Sequence, residues 1–185
     1  MSLSKADSVL REIERMTEGQ FLPIVGPHKS KILAEAVRSS KPKRVLEIGT
    51  LIGYSAILIG KELDNHAELI TIEIHADEAE AAKKNIEKAE LPAKVAVIVG
   101  DALKVIPKLK GQFDLVFVDA EKTEYRDYLL LVEDKLHKDS IVVADNAGIF
   151  ASQMRDYLDY VRTSGKYKSQ YVPVGDDGLE ISVKL

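Results

Sequence analysis

Cysteine is absent from the chain. That excludes a disulfide framework, a thiolate zinc site and a cysteine nucleophile, and it suits a reducing compartment. No window approaches the run of about 18 apolar residues that a membrane span needs. The first ten residues, MSLSKADSVL, lack the charged stretch followed by an apolar stretch that marks a secretory signal. The expected location is therefore the cytoplasm. A basic excess is missing too: 26 Lys+Arg stand against 30 Asp+Glu, a formal net charge of −4. A chain with that balance has no electrostatic footprint for non-specific nucleic-acid binding. Internal repeats, low-complexity tracts and Ser/Gly linkers are also lacking. The histidines His28, His66, His75 and His137 form no pair at metal-ligand spacing, so zinc is a poor candidate.

What is present is an ordinary folding composition. The 185 residues correspond to about one domain and are enough to bury a core without staples. An apolar fraction of 45% and a charged fraction of 30% argue against disorder. The expected organisation is one domain over 1–185, with a helical front piece over 1–43 and an α/β core over 44–185.

Periodicity supplies the elements. In Ser4–Met16 the apolar positions Ala6, Val9, Leu10, Ile13 and Met16 have helical spacing. Phe21–Pro27 is an apolar, proline-punctuated loop, and Pro27 suits the first turn of a helix running through Val37. From Arg44 onward, β-branched runs alternate with helical stretches. The runs are Arg44–Ile48, Leu69–Ile72, Val95–Val99, Phe113–Val118 and Ile141–Ala144. The expected helices end near Leu63 and cover Asp77–Ala89, Tyr125–Leu136 and Ser152–Ser164. Near-continuous apolar strands between helices read as buried parallel strands in βαβ units. Right-handed crossovers then give a doubly wound, mostly parallel sheet with helices on both faces, central strand order 3-2-1-4-5. The tail differs: Tyr167–Val174 and Leu179–Leu185 flank Gly175-Asp176-Asp177-Gly178, a hairpin signal. That predicts seven strands, with an antiparallel member at the sheet edge.

Ligands bind such sheets beyond the carboxyl ends of the strands. The first strand ends Glu47-Ile48-Gly49-Thr50-Leu51-Ile52-Gly53-Tyr54-Ser55. Its two glycines allow a tight turn and close backbone approach. Leu51 stands where a dinucleotide fingerprint needs glycine, which favours a nucleoside without a pyrophosphate and disfavours a nicotinamide oxidoreductase. Glu73, about 20 residues on, is either a ribose acceptor or a solvated charge at a strand end. Asp101 is a helix N-cap, an acceptor for an adenine amino group, or both. In this order the pieces resemble class I S-adenosylmethionine-dependent methyltransferases.

The fourth strand ends Val118-Asp119-Ala120-Glu121-Lys122 and the fifth Ala144-Asp145-Asn146. Neighbouring strands lie about 4.8 Å apart, so Asp119, Asp145 and Asn146 can converge. Two carboxylates and an amide oxygen make a hard oxygen site suited to Mg²⁺. The competing reading is an N-cap at Asp119 and a turn at Asp145-Asn146.

FDLVFVDAEKTEYRDYL, IVVADN and GLEISVKL resemble the cation-dependent O-methyltransferases of the catechol and caffeoyl-CoA type. The resemblance runs from about Phe21 to the C-terminus. It implies a Rossmann-like methyltransferase fold, S-adenosylmethionine as donor and a small catechol-like acceptor. It also implies that Asp119, Asp145 and Asn146 hold Mg²⁺ or another divalent cation. Lys122 would be the general base for a substrate hydroxyl, because an ammonium near a cation loses its proton more easily. Glu180 would accept a hydrogen bond from the second, unmethylated hydroxyl. Glu47, Gly49, Tyr54, Ser55, Glu73, Asp101 and Asp119 would line the donor pocket, with Val25 on its rim. Ala120 and Glu121 depart from the aromatic and imidazole side chains that the catechol enzymes carry there. The short front piece argues against a CoA-sized acceptor, and no nucleic-acid or membrane partner is expected. The front helix and edge strand offer surfaces for a homodimer. The rival readings are a metal-independent methyltransferase acting on a small molecule or RNA, and a nucleotide-binding module without catalysis.

Overall fold

The computed structural model describes residues 4–19 and 21–185; the first three residues of the stretch read for a signal lie outside them. Helix α1 (Lys5–Met16) begins where the Ser4 hydroxyl accepts the Asp7 N–H at 3.0 Å, and it buries Ala6, Val9, Leu10 and Ile13. Helix α2 (Gly26–Ser40) carries Pro27 in its first turn. It ends at Lys41, which is left-handed at φ +47° and donates to the Val37 carbonyl. The core then alternates strictly: β1 (Arg44–Ile48), α3 (Tyr54–Gly60), β2 (Glu68–Glu73), α4 (Ala76–Ala89), β3 (Lys94–Val99), α5 (Ala102–Val105), β4 (Phe113–Val118), α6 (Tyr125–Val132), β5 (Leu136–Ala144) and α7 (Arg155–Thr163). The hairpin strands β6 (Tyr167–Val174) and β7 (Asp177–Lys184) complete it.

The seven strands form one sheet in the order β3-β2-β1-β4-β5-β7-β6. β1 to β5 pair in parallel, as the crossover rule requires. β7 runs antiparallel between β5 and β6, so the outermost strand is β6 and the reversed strand lies one place inside it. Side chains alternate across the sheet. Val45, Leu115, Phe117 and Val143 face one core with α1, α2 and α3. Leu46, Val116, Val118 and Val142 face a second core with α6 and α7. Each such side chain is fully buried or nearly so, which stabilises the fold by about 1.5–3 kcal/mol apiece.

Several boundaries differ from the sequence reading by two or three residues, as at the ends of α2 and α3 and the start of α7, and the two largest departures are adjacent. α6 stops at Val132, and Glu133–Lys135 forms a 3₁₀ turn instead of a further helical turn. β5 starts at Leu136, five residues before the expected apolar run. Its first half, His137-Lys138-Asp139-Ser140, is polar because a register shift against β4 and a left-handed Asp139 (φ +70°) interrupt the alternation there.

Candidate active site

A cavity of about 980 Å³ opens at the carboxyl ends of β1, β2, β4 and β5. On its β1 side Gly49 turns at φ +96°. A Cβ there would stand 2.1 Å from the Asp119 carbonyl oxygen, so only glycine allows β1 and β4 to end side by side. Glu73 closes this turn from β2. Its Oε2 accepts the Thr50 N–H at 3.1 Å and the Leu51 N–H at 2.7 Å, and its Oε1 accepts the His75 N–H at 3.0 Å. Tyr54 and Ser55 also line the cavity, and the Tyr54 hydroxyl donates to Glu14 of α1 at 2.6 Å. Asp101 faces the cavity while capping α5 through the Leu103 N–H at 2.9 Å. Its carboxyl lies below the usual range because Lys104 bonds to it.

The other end of the cavity is acidic. Asp119 at the end of β4 pairs with Lys122, Oδ1 to Nζ 2.9 Å. Lys122 also donates to the Tyr125 hydroxyl at 2.9 Å, and the Phe150 ring lies below its ammonium. Asp145 at the end of β5 is buried and accepts from Lys29 of α2 at 2.6 Å. Burial, and then the Asp119 charge, push Asp145 above the usual carboxylate range, against the pull of Lys29. Asn146 follows in the left-handed region at φ +61°, with its N–H on Asp145 Oδ1 at 2.7 Å. Asp119, Lys122, Asp145 and Asn146 therefore share one wall.

Three residues of the sequence reading lie off this cavity. Val25 is buried in the core at the start of α2, while Ile24 takes the cavity wall. Glu47 sits fully buried beneath the turn, with Oε2 accepting from Thr71 at 2.5 Å. Burial pushes its carboxyl up to about 8, with Asp119 and Glu73 adding to the effect. Glu180 corrects an expectation outright. It faces α7, where Arg162 grips both carboxylate oxygens at 2.9 and 2.6 Å and Ser169 donates at 2.6 Å. With no exposed surface and its oxygens occupied, it does not reach an acceptor in this cavity.

The family model described as O-methyltransferase matches residues 1–161. The chain belongs to the O-methyltransferase family. Catechol O-methyltransferase B of Danio rerio is 38% identical over 174 residues, covering 87% of this chain and 65% of its own length. The chain thus spans just under two thirds of that relative. Catechol O-methyltransferase of Sus scrofa is 34% identical over 172 residues, covering 86% of this chain and 91% of its own. The solved structure of cofactor-bound Rv0187 from MTB superposes with a TM-score of 0.87 at 26% identity, over 98% of this chain and 90% of that one.

In this O-methyltransferase, two charged residues at the acidic wall escaped the sequence reading. Lys29 precedes Leu33 by four residues, so a cation on the buried face of α2 was a legible signal. Asp177 read only as a turn former. It lines the cavity from the start of β7 and accepts from Lys29 at 2.8 Å. Burial works against its ionised form, yet Lys29, Asn146 and backbone donors hold it down at about 2.

Proposed function

We propose that this chain moves a methyl group from S-adenosylmethionine to a hydroxyl of a small catechol-like acceptor, with a divalent cation held by Asp119, Asp145 and Asn146. One juxtaposition carries the reading. Lys122 stands on Asp119, beside Asp145 on the neighbouring strand, in the cavity that also holds the glycine turn. The catechol O-methyltransferase relatives support the acceptor class.

The residues fit both groups. The cavity beside the glycine turn is lined by Gly49, Thr50, Glu73 and His75 and, at about 980 Å³, has room for a nucleoside-sized donor. Asp119 and Asp145 repel each other at a partly buried site, which favours a cation between them. Carboxylate and amide oxygens suit a hard ion. When bound, the donor supplies a methyl on a sulfonium, and the cation supplies Lewis acidity toward the acceptor oxygens. The chain's own work is orientation and proton removal. Lys122, once it has given up its own proton to solvent, takes the hydroxyl proton on the neutral amine Nζ, which Asp119 and Tyr125 hold in place. Phe21, Pro23, Ile149 and Phe150 line the cavity with apolar surface for a flat acceptor, Phe21 and Ile149 from its exposed rim.

A second reading has its own observation. Asp119 and Asp145 each already carry a lysine partner, Lys122 and Lys29. Such a wall serves a metal-independent methyltransferase. Transfer of labelled methyl from S-adenosylmethionine to a panel of vicinal diphenols, with Mg²⁺ or with EDTA, separates the two. We expect transfer that EDTA abolishes. Transfer that survives EDTA would select the second reading. Absence of transfer under both conditions would overturn the acceptor class.

A further inference from the structure

The proposed chemistry leaves Asp177 at the acidic wall without a role. Asp177, at the tip of the C-terminal hairpin, accepts on Oδ2 from Asn146 Nδ2 at 2.9 Å and from Lys29 Nζ at 2.8 Å. Its Oδ1 accepts from the N–H groups of Gly148 and Ile149, both at 3.2 Å. Four donors occupy the roughly four lone-pair sites of a carboxylate, so Asp177 has none left for a cation. Its contacts orient other groups instead. An amide that donates through Nδ2 carries Oδ1 on its opposite side. The flipped amide would set oxygen against oxygen at Asp177. The backbone fixes the same residue, with Asn146 left-handed at φ +61° and its N–H on Asp145. Gly148 allows the close approach, since a Cβ there would stand 2.8 Å from the Asp177 Cα. Lys29 bridges Asp177 to Asp145 and so ties α2 to both strand ends.

We propose that Asp177 is a positioning residue that fixes the Asn146 amide, so that its oxygen joins Asp119 and Asp145 as a cation ligand, and that keeps Lys29 beside Asp145. This rests on the divalent-cation reading above. Groups that orient metal ligands usually shift affinity by about 10–100-fold when changed.

The test is Mn²⁺ binding to the full chain, followed by the electron paramagnetic resonance of free Mn²⁺, with melting temperature recorded in EDTA. In Asp177→Asn, one amide must face the Asn146 amide on one side and two N–H donors on the other. One side is mismatched whichever way it turns, and we expect the Mn²⁺ Kd to rise about tenfold or more. Asn146→Asp supplies a carboxylate that accepts from the new amide and still offers an oxygen. A third carboxylate strengthens Mn²⁺ binding by itself, so the comparison is made within that background, where adding Asp177→Asn should not raise the Kd. A general loosening of the hairpin would raise the Kd equally in both backgrounds. Unchanged Kd in Asp177→Asn would overturn the proposal, as would an equal loss from Asp177→Asn in the Asn146→Asp background. A wild-type chain that binds no Mn²⁺ would overturn the cation reading itself, and the wild-type titration alone reveals that case.

Discussion

Glu47 offers a stability experiment in which the chain's own buried acid sets the sign. The carboxyl is fully buried under the glycine turn, and Oε1 finds no hydrogen-bond partner among the described residues. Burial raises it from an ordinary 4.5 to about 8. Between those values the folded chain holds a proton that the unfolded chain has released. Stability therefore falls as pH rises, with the contribution fully present below 4.5 and lost by about 8. The unfolded carboxylate gains about 1.4 kcal/mol per pH unit above its ordinary value, so the loss reaches about 3 kcal/mol by pH 7. Glu47→Gln keeps the shape and cannot ionise. Urea unfolding of both proteins at a series of pH values from 5 to 8 should show the wild type losing about 3 kcal/mol relative to the variant. Parallel curves would refute the reasoning, because they would mean that the buried carboxyl titrates as it does in the unfolded chain.

Other perturbations have equally definite outcomes. Lys122→Ala removes the proton acceptor and should slow labelled methyl transfer by about 10²–10⁴-fold without lowering the melting temperature; a loss below about tenfold would deny it the role of base. Gly49→Ala forces a Cβ to 2.1 Å from the Asp119 carbonyl oxygen at φ +96°. Left-handed strain alone costs about 1–2 kcal/mol and displacement of β4 adds to it, so urea unfolding at wild-type stability would refute the close approach. Arg162→Ala leaves buried Glu180 unpaired. Because the arginine side chain is 43% exposed, we expect a loss of about 2 kcal/mol in urea unfolding, with the acceptor KM unchanged. A raised KM at unchanged stability would return Glu180 to the acceptor site.

The contrast between Glu180 and Asp177 shows what a sequence carries and what it leaves to the fold. The strands and glycine turn were legible because each is a local pattern: β-branched runs, a spacing of glycines, an acid at a strand end. Asp119, Asp145 and Asn146 were legible for a further reason. Parallel βαβ order makes β4 and β5 neighbours whatever the side chains do. The hairpin has no such rule. Its turn residues satisfy the turn by themselves, so nothing local says that Asp177 has a second task. Which side of β7 faces the cavity is a matter of parity. Leu179 packs into the core on one face of the sheet, and the next residue must point to the other, where Arg162 waits on α7. Strand order decides the rest. β7 enters between β5 and β6, and the Ala147 N–H bonds to the Gly178 carbonyl at 3.0 Å, which brings Asp177 beside Asn146. With β6 against β5 instead, Asp177 would stand one strand away, about 4.8 Å further out and beyond reach of that amide. The same GDDGLE segment would then be only a turn.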